Sequence, residues 1–196
     1  MSPRKAIALL AEEVGDLAAA AKACDGYAEQ YANPLIAYAS PANMCWAAPT
    51  YEKTRQPEKA DAALAAPLKE CGISTYIDCY RSKADVLELR GDWLGAQEWY
   101  AKAVKLVPSS PAGYYSWGLA LLKRGSLAEA ADKFRLANQK GSGWADPLRV
   151  WGDVLLRNGD IKGARGKYDE ALKYAPNWKQ LIQSREALVS DVKPSR

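Results

Sequence analysis

Four cysteines are the residues with the most reactive side chains in this 196-residue chain: Cys24, Cys45, Cys71 and Cys79. They form no Cys-x-x-Cys pair, and the chain has no histidine. A zinc site therefore lacks its usual donors, and no metal ligand set is assigned. The missing histidine also removes Ser-His-Asp and Cys-His nucleophile systems and histidine general bases. Carboxylate pairs such as Glu12-Glu13 and Asp169-Glu170 are adjacent in sequence. On a helix, adjacent residues point apart and cannot share a proton. No glycine-rich phosphate loop or nucleophile elbow is present, so no cofactor and no catalytic residue are assigned. The thiols are left with two readings. They are reduced and partly buried, as in a cytoplasmic protein, or they are bridged, which implies a periplasmic or other extracytoplasmic compartment. If bridged, Cys71 and Cys79 flank one turn and are the first candidate pair, and Cys24 and Cys45 fall on neighbouring helices.

The elements that carry these residues are helical. Alanine is abundant, β-branched runs are scarce, and glycine and proline are spaced out. The formal net charge is +4, with both signs interspersed. No basic stripe of the kind that binds phosphate backbones is visible. The apolar run 6–11 is shorter than a secretory core of roughly 7–15 residues. The run 35–48 is broken by Pro41 and shorter than the ~20 residues of a membrane span. Neither a leader nor a membrane insertion is expected.

A period organises the chain. Gly91-Asp92-Trp93, Gly125-Ser126-Leu127 and Gly159-Asp160-Ile161 recur every 34 residues. Ala96, Ala130 and Ala164 follow in phase. Tyr100, Phe134 and Tyr168 come next, and then Ala103, Ala137 and Ala171. Trp117-Gly118 and Trp151-Gly152 keep the register upstream, as do Leu87, Leu121 and Leu155. Pro108 and Pro176 close two of the repeats, and Ser142 stands where the other would carry proline. This pattern resembles the tetratricopeptide repeat (TPR) family, of bacterial type. The family implies an all-α, right-handed superhelix of antiparallel helix pairs. The chain departs from the pattern with Trp before Gly118 and Gly152, and with Lys83-Ala84 in place of Leu-Gly.

Three contiguous repeats are assigned, 77–110, 111–144 and 145–178. Ser110-Pro111 and Asp146-Pro147 read as N-cap and first-turn proline of helices. The region 1–76 reads as two degenerate hairpins, 1–34 and 41–74, joined by an inserted connection at 35–40. Gly15-Asp16-Leu17 with Ala20 marks the first, and Tyr51, Gln56-Pro57, Ala60 and Leu64 mark the second. Residues 179–196 read as a capping helix and tail, since a repeat stack needs a polar end. The tryptophans are read as packing residues, with Trp46 or Trp99 a candidate exposed anchor.

The resemblance also places a groove, lined by positions 2, 5, 9, 12 and 13 of the first helix of each repeat. Repeat 77–110 puts Asp78, Arg81, Asp85, Glu88 and Leu89 there. Repeat 111–144 puts Ala112, Tyr115, Leu119, Leu122 and Lys123 there, and repeat 145–178 puts Asp146, Arg149, Asp153, Leu156 and Arg157. Such a surface suits an extended peptide or a partner helix. The bland alternative is that Arg81–Asp85 and Arg149–Asp153 only pair along their own helices, worth about 0.3–0.5 kcal/mol each. Asp85 and Asp153 occupy the position where chaperone-tail binders of the family carry a clamp asparagine. Carboxylates there would repel an acidic C-terminal tail. The expected partner is therefore another protein, with self-association through the ends of the stack as an addition. RNA binding is the rival reading, and catalysis the weakest.

Overall fold

A computed structural model of the chain describes residues 3–31, 41–69 and 77–190. The described residues contain eleven α-helices and no strand. Helix α1 (Pro3–Glu13) pairs with α2 (Leu17–Tyr31), and a 3₁₀ segment (Pro41–Ala47) leads into α3 (Ala48–Lys53) and its partner α4 (Pro57–Lys69). Helix α5 (Ile77–Leu89) pairs with α6 (Trp93–Leu106), α7 (Pro111–Lys123) with α8 (Leu127–Lys140), and α9 (Ala145–Arg157) with α10 (Ile161–Tyr174). Helix α11 (Lys179–Ser190) packs on α10. The chain divides into two compact halves, Met1–Val107 and Pro108–Arg196. The connection assigned at 35–40, residue Cys71 and the tail 191–196 lie outside the described residues.

One turn is built five times. A residue with φ between 60° and 83° ends the first helix of each pair: Gly15, Arg55, Gly91, Gly125 and Gly159. The amide of the next residue then donates to the carbonyl five residues back, as in Asp92 to Leu87 and Gln56 to Tyr51, both 2.9 Å. This is a Schellman closure, which needs the left-handed conformation that glycine adopts without strain. Arg55 adopts it as a non-glycine residue. Asp16, Asp92 and Asp160 then cap the following helices, each accepting from the amide three residues on at 2.8–2.9 Å.

The core is the one the period predicts. Tyr100, Phe134 and Tyr168 and the six alanines in phase with them are buried. Gly152 permits close helix approach, because a Cβ there would lie 2.5 Å from the Tyr168 ring. Helix α9 starts at Ala145 and not at an Asp146 cap. Trp144 takes the capping position, and Asp146 accepts its indole N–H at 2.8 Å.

The cysteine expectations need correction. Cys79 is bridged to Cys45, with Cα atoms 4.9 Å apart, and not to Cys71. The bridge joins the 3₁₀ segment to α5, elements two helices apart in the chain. The reading of four reduced thiols is overturned with it. Cys24 is a buried free thiol in the same core cluster as the bridge. Burial pushes its pKa up to about 11.

Candidate functional site

The first helices of the three pairs in the N-terminal half line a groove of about 450 Å³. Helix α1 contributes Lys5, Leu9 and Glu12. The 3₁₀ segment and α3 contribute Trp46, Pro49 and Lys53, and α5 contributes Asp78, Arg81, Ser82 and Asp85. Apolar surface comes from Leu9, Trp46 and Pro49, and both signs of charge flank it. Lys53 bonds Glu12 at 2.5 Å, which also accepts from the Thr50 hydroxyl. Lys5 lies 5.6 Å from the Trp46 ring centroid. Trp46 itself meets Tyr27 edge-on, with centroids 5.4 Å apart. Arg81 bonds Asp78 at 2.8 Å, three residues before it on the same helix.

Asp85 has a different task. It accepts the Tyr100 hydroxyl at 2.5 Å, and Glu88 takes a longer bond from the same hydroxyl at 3.4 Å. Asp153 accepts the Tyr168 hydroxyl at 2.7 Å in the same way. Both pairs are fifteen residues apart. The same spacing in the repeat between them pairs Leu119 with Phe134, where no hydroxyl needs an acceptor. In the first two repeats it pairs Leu9 with Cys24 and Pro49 with Leu64. Burial, and secondarily the neighbouring carboxylates, push the Tyr100 and Tyr168 hydroxyl pKa values well above the usual phenol range. The two aspartates read from sequence as groove charges are thus acceptors for core tyrosines.

In the C-terminal half, Tyr115 is half-buried between Phe134 and Trp144, with centroids 5.9 and 4.7 Å away. Leu119 and Leu122 are half-buried, and Lys123, Leu156 and Arg157 are exposed. The expected helical pair Arg149–Asp153 is present at 2.7 Å, and the Arg149 guanidinium lies 5.4 Å from the Trp178 ring centroid. The structure thus draws Asp78, Arg81 and Asp85 into the groove together with Trp46, read from sequence as a candidate exposed anchor, and six residues that sequence reading left out of it. Five of those six fall at the same positions, Lys5, Leu9 and Glu12 at 5, 9 and 12 of the first repeat and Pro49 and Lys53 at 9 and 13 of the second. The rule applied to the later repeats would have found them. Among the described residues no cluster of acidic, cysteine or histidine side chains could hold a metal ion, and no helix is long and apolar enough to cross a membrane.

Comparison with known proteins agrees with this architecture. Residues 81–143 match the tetratricopeptide repeat family. No curated protein matches the chain in sequence. Among solved structures, a thermophilic TPR protein of Thermus thermophilus superposes with a TM-score of 0.68 at 16% identity, over 95% of this chain and 97% of that one. YrrB, a TPR protein described with an unusual peptide-binding site, superposes at 0.56 with 20% identity, over 94% and 91%. The first TPR of Spaghetti, solved with an HSP90 peptide, superposes at 0.55 with 16% identity, over 61% and 95%. The chain thus shares the all-helical fold of these TPR proteins.

Proposed function

We propose that this protein is a non-catalytic scaffold that holds an extended peptide or a partner helix in the groove between α1, α3 and α5. The observation that carries this is the groove itself, where three first helices present Leu9, Trp46 and Pro49 between charged side chains. Apolar anchors supply contact area, and the flanking charges set register and orientation. Peptide binding by two proteins of the same fold supports the same reading. On the C-terminal half, Tyr115, Leu119, Leu122, Lys123, Arg149, Leu156 and Arg157 form the corresponding first-helix surface. Asp85 and Asp153 stand against an acidic C-terminal tail as the ligand. The Cys45–Cys79 bridge supports an oxidising compartment.

The test is selection from a random peptide library on the oxidised chain. Leu9 is 45% exposed, so Leu9→Glu changes the groove without emptying the core. Selected peptides should lose binding to Leu9→Glu and keep it to Ile161→Glu, a control on exposed surface of α10. Peptides that bind all three proteins alike place recognition elsewhere. A library that yields no binder removes the reading.

A further inference from the structure

The second repeat has the weakest first helix of the five. Its α-helical part, α3, is six residues long, preceded by seven residues of 3₁₀ helix. Isolated helices under about 12 residues are marginal in water, and 3₁₀ runs beyond about 3–4 residues are uncommon. This element also supplies the middle row of the groove, with Trp46, Pro49 and Lys53. Its covalent anchor is Cys45, next in sequence to Trp46. The other end of the bridge is Cys79, next in sequence to the groove residue Asp78. Both cysteines are 1% exposed and belong to one cluster with Ala47, Ala48, Tyr51, Leu64 and Val86. The bond thus connects two of the three walls of the groove directly behind their ligand-facing residues.

We infer that the Cys45–Cys79 bridge is a redox tether for the groove: oxidised, it holds the 3₁₀–α3 element in its binding position, and reduced, it releases that element and lowers affinity. This rests on the groove being the binding site. The reductant is an external dithiol. Its first thiolate attacks one cysteine sulfur of the bridge, and the other cysteine leaves as a thiolate and takes up a proton. Its second thiolate then displaces the first cysteine, which is protonated in turn. Two electrons pass to the protein, and the reductant leaves as its own disulfide. Burial of both sulfurs makes local opening of the 3₁₀ segment the gate for this attack. Once reduced, the element samples other conformations, and apparent affinity falls in proportion to the fraction still in place. Occupancy of about one tenth gives a loss of about tenfold.

The experiment compares oxidised chain, dithiothreitol-reduced chain and the variant Cys45→Ala/Cys79→Val, which keeps apolar side chains at the bridge without the covalent link. Two readouts are taken: affinity for a peptide selected on the oxidised chain, and amide exchange over Met44–Lys53 without peptide. Thiol counting by mass spectrometry verifies each redox state, and Cys24→Ser excludes the third buried thiol. Reduced chain and apolar variant should both bind roughly tenfold or more weakly, with faster exchange confined to 44–53. Affinity and exchange equal to those of the oxidised chain in the apolar variant overturn the tether. So does loss of all helical signal in both unlinked forms, which would make the bridge a general requirement of folding. If no peptide is ever selected, the groove reading fails and the affinity half of the inference fails with it, while the exchange data still decide whether the bridge holds the 3₁₀–α3 element in place.

Discussion

At the scale of single residues, the fifteen-residue pairs show how one position is chosen by another. A buried tyrosine must find an acceptor for its hydroxyl, and leaving it without one costs about 1–3 kcal/mol. Tyr100 and Tyr168 find Asp85 and Asp153, while Phe134, with Leu119 at the same spacing in sequence, has no hydroxyl to satisfy. Phe134→Tyr alone should destabilise the protein by about 1–3 kcal/mol, because its hydroxyl would be buried without a partner. Leu119→Asp alone should also destabilise it. The two together should recover at least about 1 kcal/mol relative to the sum, the coupling expected of residues in contact. Urea unfolding of the four proteins measures that coupling, and strict additivity would refute the pairing rule. These pairs can be read in the sequence only in hindsight. The aromatic period is visible, but the partner of each aromatic varies with its polarity, so Asp85 and Asp153 look like surface charge. Trp117 with Lys133 and Trp151 with Lys167 form a second recurrent pair, each with the ammonium 4.1 Å from a ring centroid. The tryptophans read as packing residues thus also face cations.

At the scale of elements, turns and caps decide how far the repeat can be followed by eye. The residues that end the first helices are 34 apart from Gly91 onward, yet Arg55 stands 36 before Gly91 and 40 after Gly15. Those shifts, and arginine in place of glycine, make the second repeat faint in the sequence. Leu64 blurs it further, and Cys24 blurs the first, by standing where the later repeats carry aromatics. The disulfide is hidden for the same reason. Cys45 and Cys79 are 34 residues apart, one repeat period, but the degenerate register around Cys45 hides that correspondence, and the 3₁₀ segment brings the two together across two first helices. Arg90 shows the second repeat being held from outside. Its guanidinium bonds Glu52 of α3 at 2.8 and 3.0 Å and Asp61 of α4 at 2.9 Å. A left-handed conformation costs a non-glycine residue about 1–2 kcal/mol. Arg55→Gly should therefore stabilise the protein by about 1 kcal/mol, less the entropy that glycine gains when unfolded. A rise in the thermal midpoint checks this, and a fall would mean that the Arg55 side chain does more than turn the chain.

At the scale of the whole molecule, helices, core and repeat family are legible over 77–178 because one period recurs there without interruption. The groove is legible only in part, since it draws on the three first helices of the N-terminal half, two of them in the degenerate repeats. The buried tyrosines give the molecule an optical property. Tyr51, Tyr100 and Tyr168 have hydroxyls whose ionisation is pushed far up, first by burial and then by adjacent carboxylates. A phenol whose pKa is raised on folding stabilises the fold fully below its unfolded value, about 10, and loses that contribution as pH climbs past it. Stability should thus decline from about pH 10 upward, and the decline should be visible without any added dye. Phenolate absorbs at longer wavelength than phenol, and the exposed tyrosines should colour first in an alkaline titration. Tyr51, Tyr100 and Tyr168 should stay dark until the chain opens, and then appear together and abruptly. The protein carries its own indicator of an intact core, written in ultraviolet light.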